Sequence, residues 1–277
     1  MYDAALPYLH CPRHPNQPLL LREGAERAVD GAILTGTMDC PTCSTQYPIR
    51  EGMLDLLGSR YLPTSPAQVT NLLPLTAWAY ERTWRPQALS LLSGESFGYE
   101  RELTLITTLA APARGGLLVD VACSNGLYAR ALAQALGAAP GHVIGVDHAW
   151  PMLQQARAYA QAQRLPISFV RTSAQALPFA EGSASALVMG GSLNEIGDAP
   201  QALRELRRTM ASTGRVALMS LVRGQRLPGQ VLQQALGLGG ISFPKLADLN
   251  HMLAAADLRL RGQWQYGVVV FSLLTQP

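Results

Sequence analysis

The sequence predicts an α/β fold: a seven-stranded, mostly parallel sheet with an antiparallel last strand, preceded by a small N-terminal unit. Three observations predict it. Residues 115–277 alternate short apolar runs with amphipathic stretches, the pattern of strands joined by helices. The run Leu117-Leu-Val-Asp-Val-Ala-Cys-Ser-Asn-Gly126 is an apolar strand ending in an acid, then a turn of small residues, then the amphipathic stretch Leu127–Leu136. Cys11-Pro-Arg-His14 and Cys40-Pro-Thr-Cys43 are two knuckles of the same x-x spacing, 25 residues apart.

In chain order, residues 1–60 form a Pro-rich unit holding the Cys/His pairs, residues 61–112 read as a helical lid or linker, and residues 113–277 form the sheet domain. The break between the first two falls at Pro63 to Pro66. Strands are expected at 117–121, 142–146, 167–170, 184–189 and 214–221, with helices 126–136, 150–163 and 198–211 between them. A helix over 245–256 leads to strands near 257–263 and 267–274, which have no helix between them and so pair antiparallel at one edge.

Composition bounds the rest. With 277 residues and 48% hydrophobic content, the chain is globular and long enough for one large domain and one small one. No apolar run reaches the roughly 18 residues that cross a bilayer, so no membrane span is expected. The first residues lack a basic region followed by a long apolar one, so no signal peptide is expected. A C-x-x-C pair without an export signal points to metal rather than disulfide, and to a reducing cytoplasm. The net charge of +3 is too small to argue for a polyanion. Residues 1–60 carry five Arg against seven acids, and Lys245 is the only lysine. Nucleic acid is therefore not the expected partner. The oligomeric state stays open.

A strand, a tight turn and a helix N-terminus make a cradle for a nucleotide cofactor, because small residues let the backbone approach the ligand. His142-Val-Ile-Gly-Val-Asp147 follows and ends in a second acid, where Rossmann-like folds hold ribose hydroxyls. These residues also carry a resemblance. Leu118-Val-Asp-Val-Ala-Cys-Ser-Asn-Gly126 is similar to the first motif of class I S-adenosylmethionine-dependent methyltransferases, usually L-D-V-G-C-G-T-G. Val143–Asp147 with Trp150-Pro-Met-Leu153 and Ala156 resembles the second motif, and Phe169-Val-Arg-Thr-Ser-Ala-Gln-Ala-Leu-Pro-Phe179 the third. Leu203, Leu206, Arg207 and Gly214 fall where the family has a further conserved stretch.

The resemblance implies S-adenosylmethionine as cofactor. It implies that Asp120 anchors the loop and the methionine end, and that the turn through Ala122, Cys123, Ser124 and Gly126 lies against the cofactor. Asp147 would accept from both ribose hydroxyls, His148 and Met152 would flank the adenine, and Ala174 would offer it a backbone N–H. Ser173 stands where the family has an acid that accepts from the adenine amino group. Ala122 and Ser124 replace glycines, and a left-handed backbone would be disfavoured at both.

Zinc takes four thiolate or imidazole ligands in a tetrahedron, which Cys11, His14, Cys40 and Cys43 supply as a closed, structural Zn2+ site. His10 competes for the fourth place, with a spacing unsuited to a knuckle. Tyr47-Pro-Ile-Arg-Glu-Gly-Met-Leu-Asp-Leu-Leu57 resembles the end of a Trm112-like zinc ribbon. That group generally uses four cysteines, so His14 is a departure.

Tyr80-Glu-Arg-Thr-Trp-Arg85 and Gly94–Glu102 resemble a segment of plastid-type and bacterial methyltransferases, where it would lie over the cofactor as a lid. Tyr80, Trp84, Arg85, Phe97 and Tyr99 would then line a substrate pocket; the competing reading is a helix-packing face. The loop Gly190-Gly-Ser-Leu-Asn-Glu-Ile196 follows the fourth strand, at the edge where open α/β sheets bind ligands. Asn194 and Glu195 would face the reacting groups, with Glu195 taking a proton from the acceptor or else capping the next helix. Similarity to quinone-biosynthesis methyltransferases implies in-line methyl transfer to a small molecule. Two readings stand beside it: an RNA methyltransferase whose ribbon holds RNA, and an inactive cofactor-binding regulatory module.

Overall fold

A computed structural model describes residues 1–58, 89–90, 92–224, 233–234, 237–238 and 240–277. Tyr80, Trp84, Arg85 and the Pro63–Pro66 segment lie outside the described residues.

The N-terminal unit contributes short strands: β1 (His10–Cys11), β2 (His14–Pro18), β3 (Leu20–Leu21), β4 (Glu26–Arg27), β5 (Ile33–Asp39), β6 (Gln46–Arg50) and β7 (Met53–Asp55). Helix α1 (Tyr99–Ala110) opens the second half. Then come β8 (Gly116–Val121), α2 (Leu127–Leu136), β9 (Gly141–Asp147), α3 (Trp150–Ala162), β10 (Ile167–Arg171) and β11 (Ala184–Gly190). The chain ends with α4 (Ala199–Thr209), β12 (Met210–Leu221), α5 (Leu246–Ala255), β13 (Arg259–Tyr266) and β14 (Val269–Thr275).

The seven C-terminal strands lie in the order β13-β14-β12-β11-β8-β9-β10. Strands β12, β11, β8, β9 and β10 are parallel, while β14 runs antiparallel to both β12 and β13. The mostly parallel sheet with its antiparallel last strand is therefore as expected. Its parallel strands are buried on both faces, so their alternate residues enter two separate cores. Leu117, Val119 and Val121 join Leu203, Leu206, Leu249 and Leu253 on the face covered by α4 and α5. Leu118, Val143 and Val188 join Ile106, Leu132 and Leu153 on the face covered by α1, α2 and α3.

Two boundaries differ from expectation. Helix α4 ends at Thr209 rather than 211, and β12 begins at Met210 rather than 214. Met210 already pairs with Ala184 before the register jumps to Ala186 opposite Arg215, so residues 211–214 are absorbed in a bulge.

The larger difference concerns residues 1–60. Strands β3, β5, β6 and β7 are antiparallel to their neighbours, but they are not a separate sheet. Strand β7 pairs parallel with β10, aligning Met53, Leu54 and Asp55 with Phe169, Val170 and Arg171. The hydrogen-bonded sheet thus runs from β13 through β10 into the N-terminal unit. The backbone N–H of His10 donates to the Pro178 carbonyl at 2.8 Å, and that of Leu56 to the Arg171 carbonyl at 3.0 Å. Among the described residues, no helix is long and apolar enough to cross a membrane.

Candidate cofactor cradle and metal centre

Strand β8 delivers Asp120 to the C-terminal edge of the sheet, where its carboxylate accepts the Ala129 N–H at 2.8 Å. The acid therefore satisfies one of the open donors in the first turn of α2. Asp120 is 2% exposed, and burial raises its pKa to about 8. Between strand and helix, Ala122 and Ser124 adopt φ of 54° and 50°, and Gly126 a φ of 74°. The expectation that left-handed backbone would be avoided at the two substituted positions is corrected: both side chains are small enough for the turn to keep a glycine-like path. Cys123 is buried among Gly145, Phe169 and the loop, and burial raises its thiol pKa, so it is a packing residue.

Strand β9 delivers Asp147. Its Oδ2 accepts the Ser124 N–H and its Oδ1 the Ala149 N–H, each at 2.8 Å. Asp147 thus ties the turn after β8 to the start of α3. Gly145, two residues earlier, is required by contact: a Cβ there would lie 2.8 Å from the Phe169 ring and 3.1 Å from Cys123 Sγ. His148 Nδ1 lies 3.5 Å from Asp147 Oδ1. Ser124 Oγ lies 3.4 Å from Met152 Sδ, which brings these two predicted residues together. The Asp147 carbonyl accepts the Thr172 N–H at 2.9 Å, so the turn carrying Ser173 and Ala174 follows directly. Ser173 Oγ is hydrogen-bonded to the Gln175 side chain, and the Gln175 N–H donates to Ser173 Oγ at 3.2 Å.

The loop after β11 is tied both to the turn after β8 and to the end of β12. Ser192 Oγ donates to the Ala122 carbonyl at 3.3 Å, which places the loop against the cradle. The Asn194 side chain donates to the carbonyls of Leu221 at 2.7 Å and Ser242 at 2.6 Å and accepts the Leu221 N–H at 2.8 Å. Those bonds join the loop to the end of β12 and to the 242 segment. Glu195 is half-buried, and its N–H donates to Ser192 at 2.9 Å. Ile241 and Phe243, either side of Ser242 in the chain, line a cavity of about 230 Å³ with Arg223, Gln233 and Gln234.

Phe97 belongs to the helix-packing alternative. It is 1% exposed and stacks on Phe271 with centroids 5.8 Å apart. Tyr99, two residues on, opens α1 and is half-buried.

In the N-terminal unit, Cys11, His14, Cys40 and Cys43 present ligand atoms that all lie within 4.8 Å of one another. Cys11 Sγ lies 3.8 Å from His14 Nδ1 and 3.9 Å from Cys43 Sγ, and Cys40 Sγ lies 3.8 Å from His14 Nδ1. A tetrahedron with metal–sulfur bonds of about 2.3 Å has edges of about 3.8 Å, so the four groups have the spacing of a metal site. His10 is set apart from them, its Nδ1 at 2.7 Å from the Pro15 carbonyl oxygen. Tyr47 Oη lies 3.4 Å from Cys11 Sγ, and hydrogen bonds from Thr45 lower the Cys43 pKa to about 6. Such donors stabilise thiolates and orient metal ligands. All four cysteines are free.

Comparison with known proteins shows what the segment carrying the cradle resembles. Residues 118–214 match the family described as "Methyltransferase domain". This segment is similar to methyltransferase domains. An uncharacterized chloroplastic methyltransferase of Arabidopsis thaliana is 32% identical over 206 residues, covering 70% of this chain and 57% of that protein. The 2-phytyl-1,4-naphtoquinone methyltransferase of Trichormus variabilis is 32% identical over 136 residues, covering 48% of this chain and 58% of that protein. The chain thus spans somewhat over half the length of these curated relatives. A SAM-dependent methyltransferase from Aquifex aeolicus shares the fold, with a TM-score of 0.53 at 16% identity, covering 72% of this chain and 96% of that one.

Two contributors were not singled out in the sequence. Arg171 lies inside the third motif, and Asp55 ends β7; both side chains are largely buried and they meet at 3.3 Å. Nothing in the spacing of either marks it, because the pairing of β7 with β10 is not legible in one sequence.

Proposed function

We propose that this chain transfers a methyl group from S-adenosylmethionine to a small, quinone-like aromatic acceptor. The observation that carries the reading is Asp147. A carboxylate at the end of the second strand is bonded to a turn that keeps a glycine-like backbone despite Ala122 and Ser124. When bound, the sulfonium supplies an already activated methyl group. The chain's own task is then to hold donor and acceptor in line and to exclude water. Asp147 is suited to accept from ribose hydroxyls, with His148 and Met152 beside the adenine and Ser173 and Ala174 along its edge. Asp120 holds the turn against α2.

The acceptor belongs beyond Ser192 and Asn194, in the cavity where Ile241 and Phe243 offer apolar and aromatic surface and Arg223 a cation. Asn194 fixes this loop, and Glu195 is the acid we assign to take the acceptor's proton. The naphtoquinone relatives support a quinone-like acceptor. The acidic balance of residues 1–60 gives no support to an RNA acceptor. The Cys11, His14, Cys40 and Cys43 cluster is proposed to hold a structural Zn2+, and its free thiols suit a reducing compartment.

Calorimetric titration with S-adenosylmethionine and S-adenosylhomocysteine tests the cradle. Micromolar binding is expected, followed by label transfer from the methyl donor to a demethylated naphthoquinol. No binding of either compound would reject the reading.

A further inference from the structure

The cofactor cradle is braced from outside the methyltransferase domain. Arg171, at the end of β10, spends its guanidinium on three backbone and side-chain partners. Nε donates to the His148 carbonyl at 3.0 Å, and Nη1 donates to the Gly58 carbonyl at 2.8 Å and to both Asp55 oxygens at 3.3 Å. Asp55 is itself held by the N–H groups of Leu57 and Gly58, at 3.1 and 3.0 Å on Oδ1. Both side chains are largely withdrawn from water, with 15% of Arg171 and 6% of Asp55 exposed. Desolvation offsets much of the attraction in an ion pair so shielded, but removing one partner leaves the other charge buried and uncompensated.

The decisive detail is which carbonyl Arg171 holds. The His148 C=O and the Ala149 N–H belong to one planar peptide unit. Arg171 grips that unit by its oxygen, and its N–H points to Asp147 Oδ1 at 2.8 Å. Turning the peptide would break the bond to Asp147. Asp147 in turn holds the Ser124 N–H of the turn after β8. A continuous chain therefore runs from Asp55 through Arg171 and the 148–149 peptide to the Asp147 carboxylate and Ser124.

We propose that Arg171, anchored by Asp55 from the N-terminal unit, is a positioning residue that orients the Asp147 carboxylate for the ribose of the cofactor. The N-terminal unit is on this view part of the cofactor site, acting through one peptide plane. The proposal rests on the assignment of Asp147 to the ribose.

The test uses the full chain and S-adenosylhomocysteine. Arg171→Gln removes the charge and the grip, and Asp55→Asn keeps the Oδ1 acceptor for Leu57 and Gly58 while removing the anchor's charge and its second acceptor for Arg171. Loss of one charge-assisted bond at this place is expected to weaken binding about tenfold in Arg171→Gln and less in Asp55→Asn, with Arg171→Lys intermediate. Amide hydrogen exchange supplies a second readout: protection of the Ala149 and Ser124 amides is expected to fall in the ligand-free variants. Gln154→Ala serves as control, because Gln154 bridges to Glu51 at 2.9 Å on an exposed part of the same junction. It is expected to change neither affinity nor the two amides.

Folded Arg171→Gln with unchanged affinity would overturn the proposal. So would weakened binding with the Ala149 and Ser124 amides still protected, or an equal loss in Gln154→Ala. Should Arg171→Gln fail to fold, Asp55→Asn and Arg171→Lys decide by the same two readouts. A wild-type chain that binds no S-adenosylhomocysteine would reject the ribose assignment and this proposal with it, a failure distinct from variants that bind as the wild type does.

Discussion

Ala122 sits in a left-handed turn with a φ of 54°, at a place where the motif it resembles has glycine, and this makes Ala122→Gly an informative substitution. A left-handed backbone costs a residue with a Cβ about 1–2 kcal/mol, which glycine relieves. Against that, glycine gives the unfolded chain more freedom, at a cost of about 0.4–1 kcal/mol. Ala122 is half-buried, so losing its methyl forfeits about half of the ~0.8 kcal/mol of a fully buried one. The three contributions leave Ala122→Gly between about 0.4 kcal/mol less stable and about 1.2 kcal/mol more stable, on the magnitudes just given. The same chemical change at Ala131, inside α2 and 7% exposed, has the opposite sign. There the helix propensity difference of about 1 kcal/mol and the buried methyl add, for a loss of about 1.5–2 kcal/mol. Urea unfolding at fixed m-value measures both variants, and the gap between them should be about 2 kcal/mol. Ala122→Gly should also bind S-adenosylhomocysteine within about twofold of wild type, because the turn already follows the glycine path. If Ala122→Gly destabilised the protein as much as Ala131→Gly, the left-handed turn and the account of why Ala is tolerated there would both be wrong.

Asp147→Ala should abolish measurable S-adenosylhomocysteine binding. It should also lower stability, because the Ser124 and Ala149 N–H groups lose their acceptor at about 1–3 kcal/mol for each one left unsatisfied. Calorimetry and urea unfolding read the two effects, and retained affinity would contradict the ribose role. Cys40→Ser should release stoichiometric metal, read by elemental analysis, and lower the urea midpoint; unchanged metal content would show that the cluster is no site. Asp120 gives a pH signature. Burial raises its pKa from 3.8 to about 8, so between those values the native chain holds a proton that the unfolded chain has lost. Stability contributed by this group is present at low pH and declines as pH rises, by up to about 1.4 kcal/mol per unit. Asp120→Asn removes this slope, so wild type should lose stability relative to the variant between pH 5 and 8. Parallel curves would refute the shift.

Strands β8 to β11 were readable because each is a short apolar run bounded by small or charged residues, and alternation of strands with helices implied a mostly parallel sheet. The start of β12 was not, since the bulge over residues 211–214 hides strand residues among polar ones. The choice of His14 over His10 followed from knuckle spacing, and the spacing of the ligand atoms agrees with it. Asn194 shows the limit of reading polar residues in a ligand-edge loop: its amide is a three-bond staple, which only the partners reveal. Phe97 shows the same for aromatics, since core and pocket have one composition. The junction of β7 with β10 was invisible because parallel pairing across 116 residues, the separation of Asp55 and Arg171, leaves no periodic trace.

That junction answers a problem every open sheet has. An edge strand presents unpaired N–H and C=O groups on which another chain can pair. Here the two edges of the methyltransferase sheet are handled differently. Strand β13 carries Arg259 and Arg261 and a bulge between Leu260 and Gly262, which discourage pairing along its length. Strand β10 has no bulge and one arginine at its very end: Ile167, Phe169 and Val170 are at most 4% exposed, and a bare edge there would be largely apolar. It is covered by β7, whose Met53 and Leu54 are fully buried. The edge is thereby moved outward to β3, a strand of two residues, too short to template another chain. Because β7 runs parallel to β10, its last residue arrives at the edge of the sheet where Asp120 and Asp147 emerge. The antiparallel β6 brings Tyr47, the hydrogen-bond neighbour of Cys11, back to that same end. The direction of one strand pairing therefore accounts for both facts: a metal-type cluster stands at the cofactor end of the sheet, and Asp55 stands within reach of Arg171.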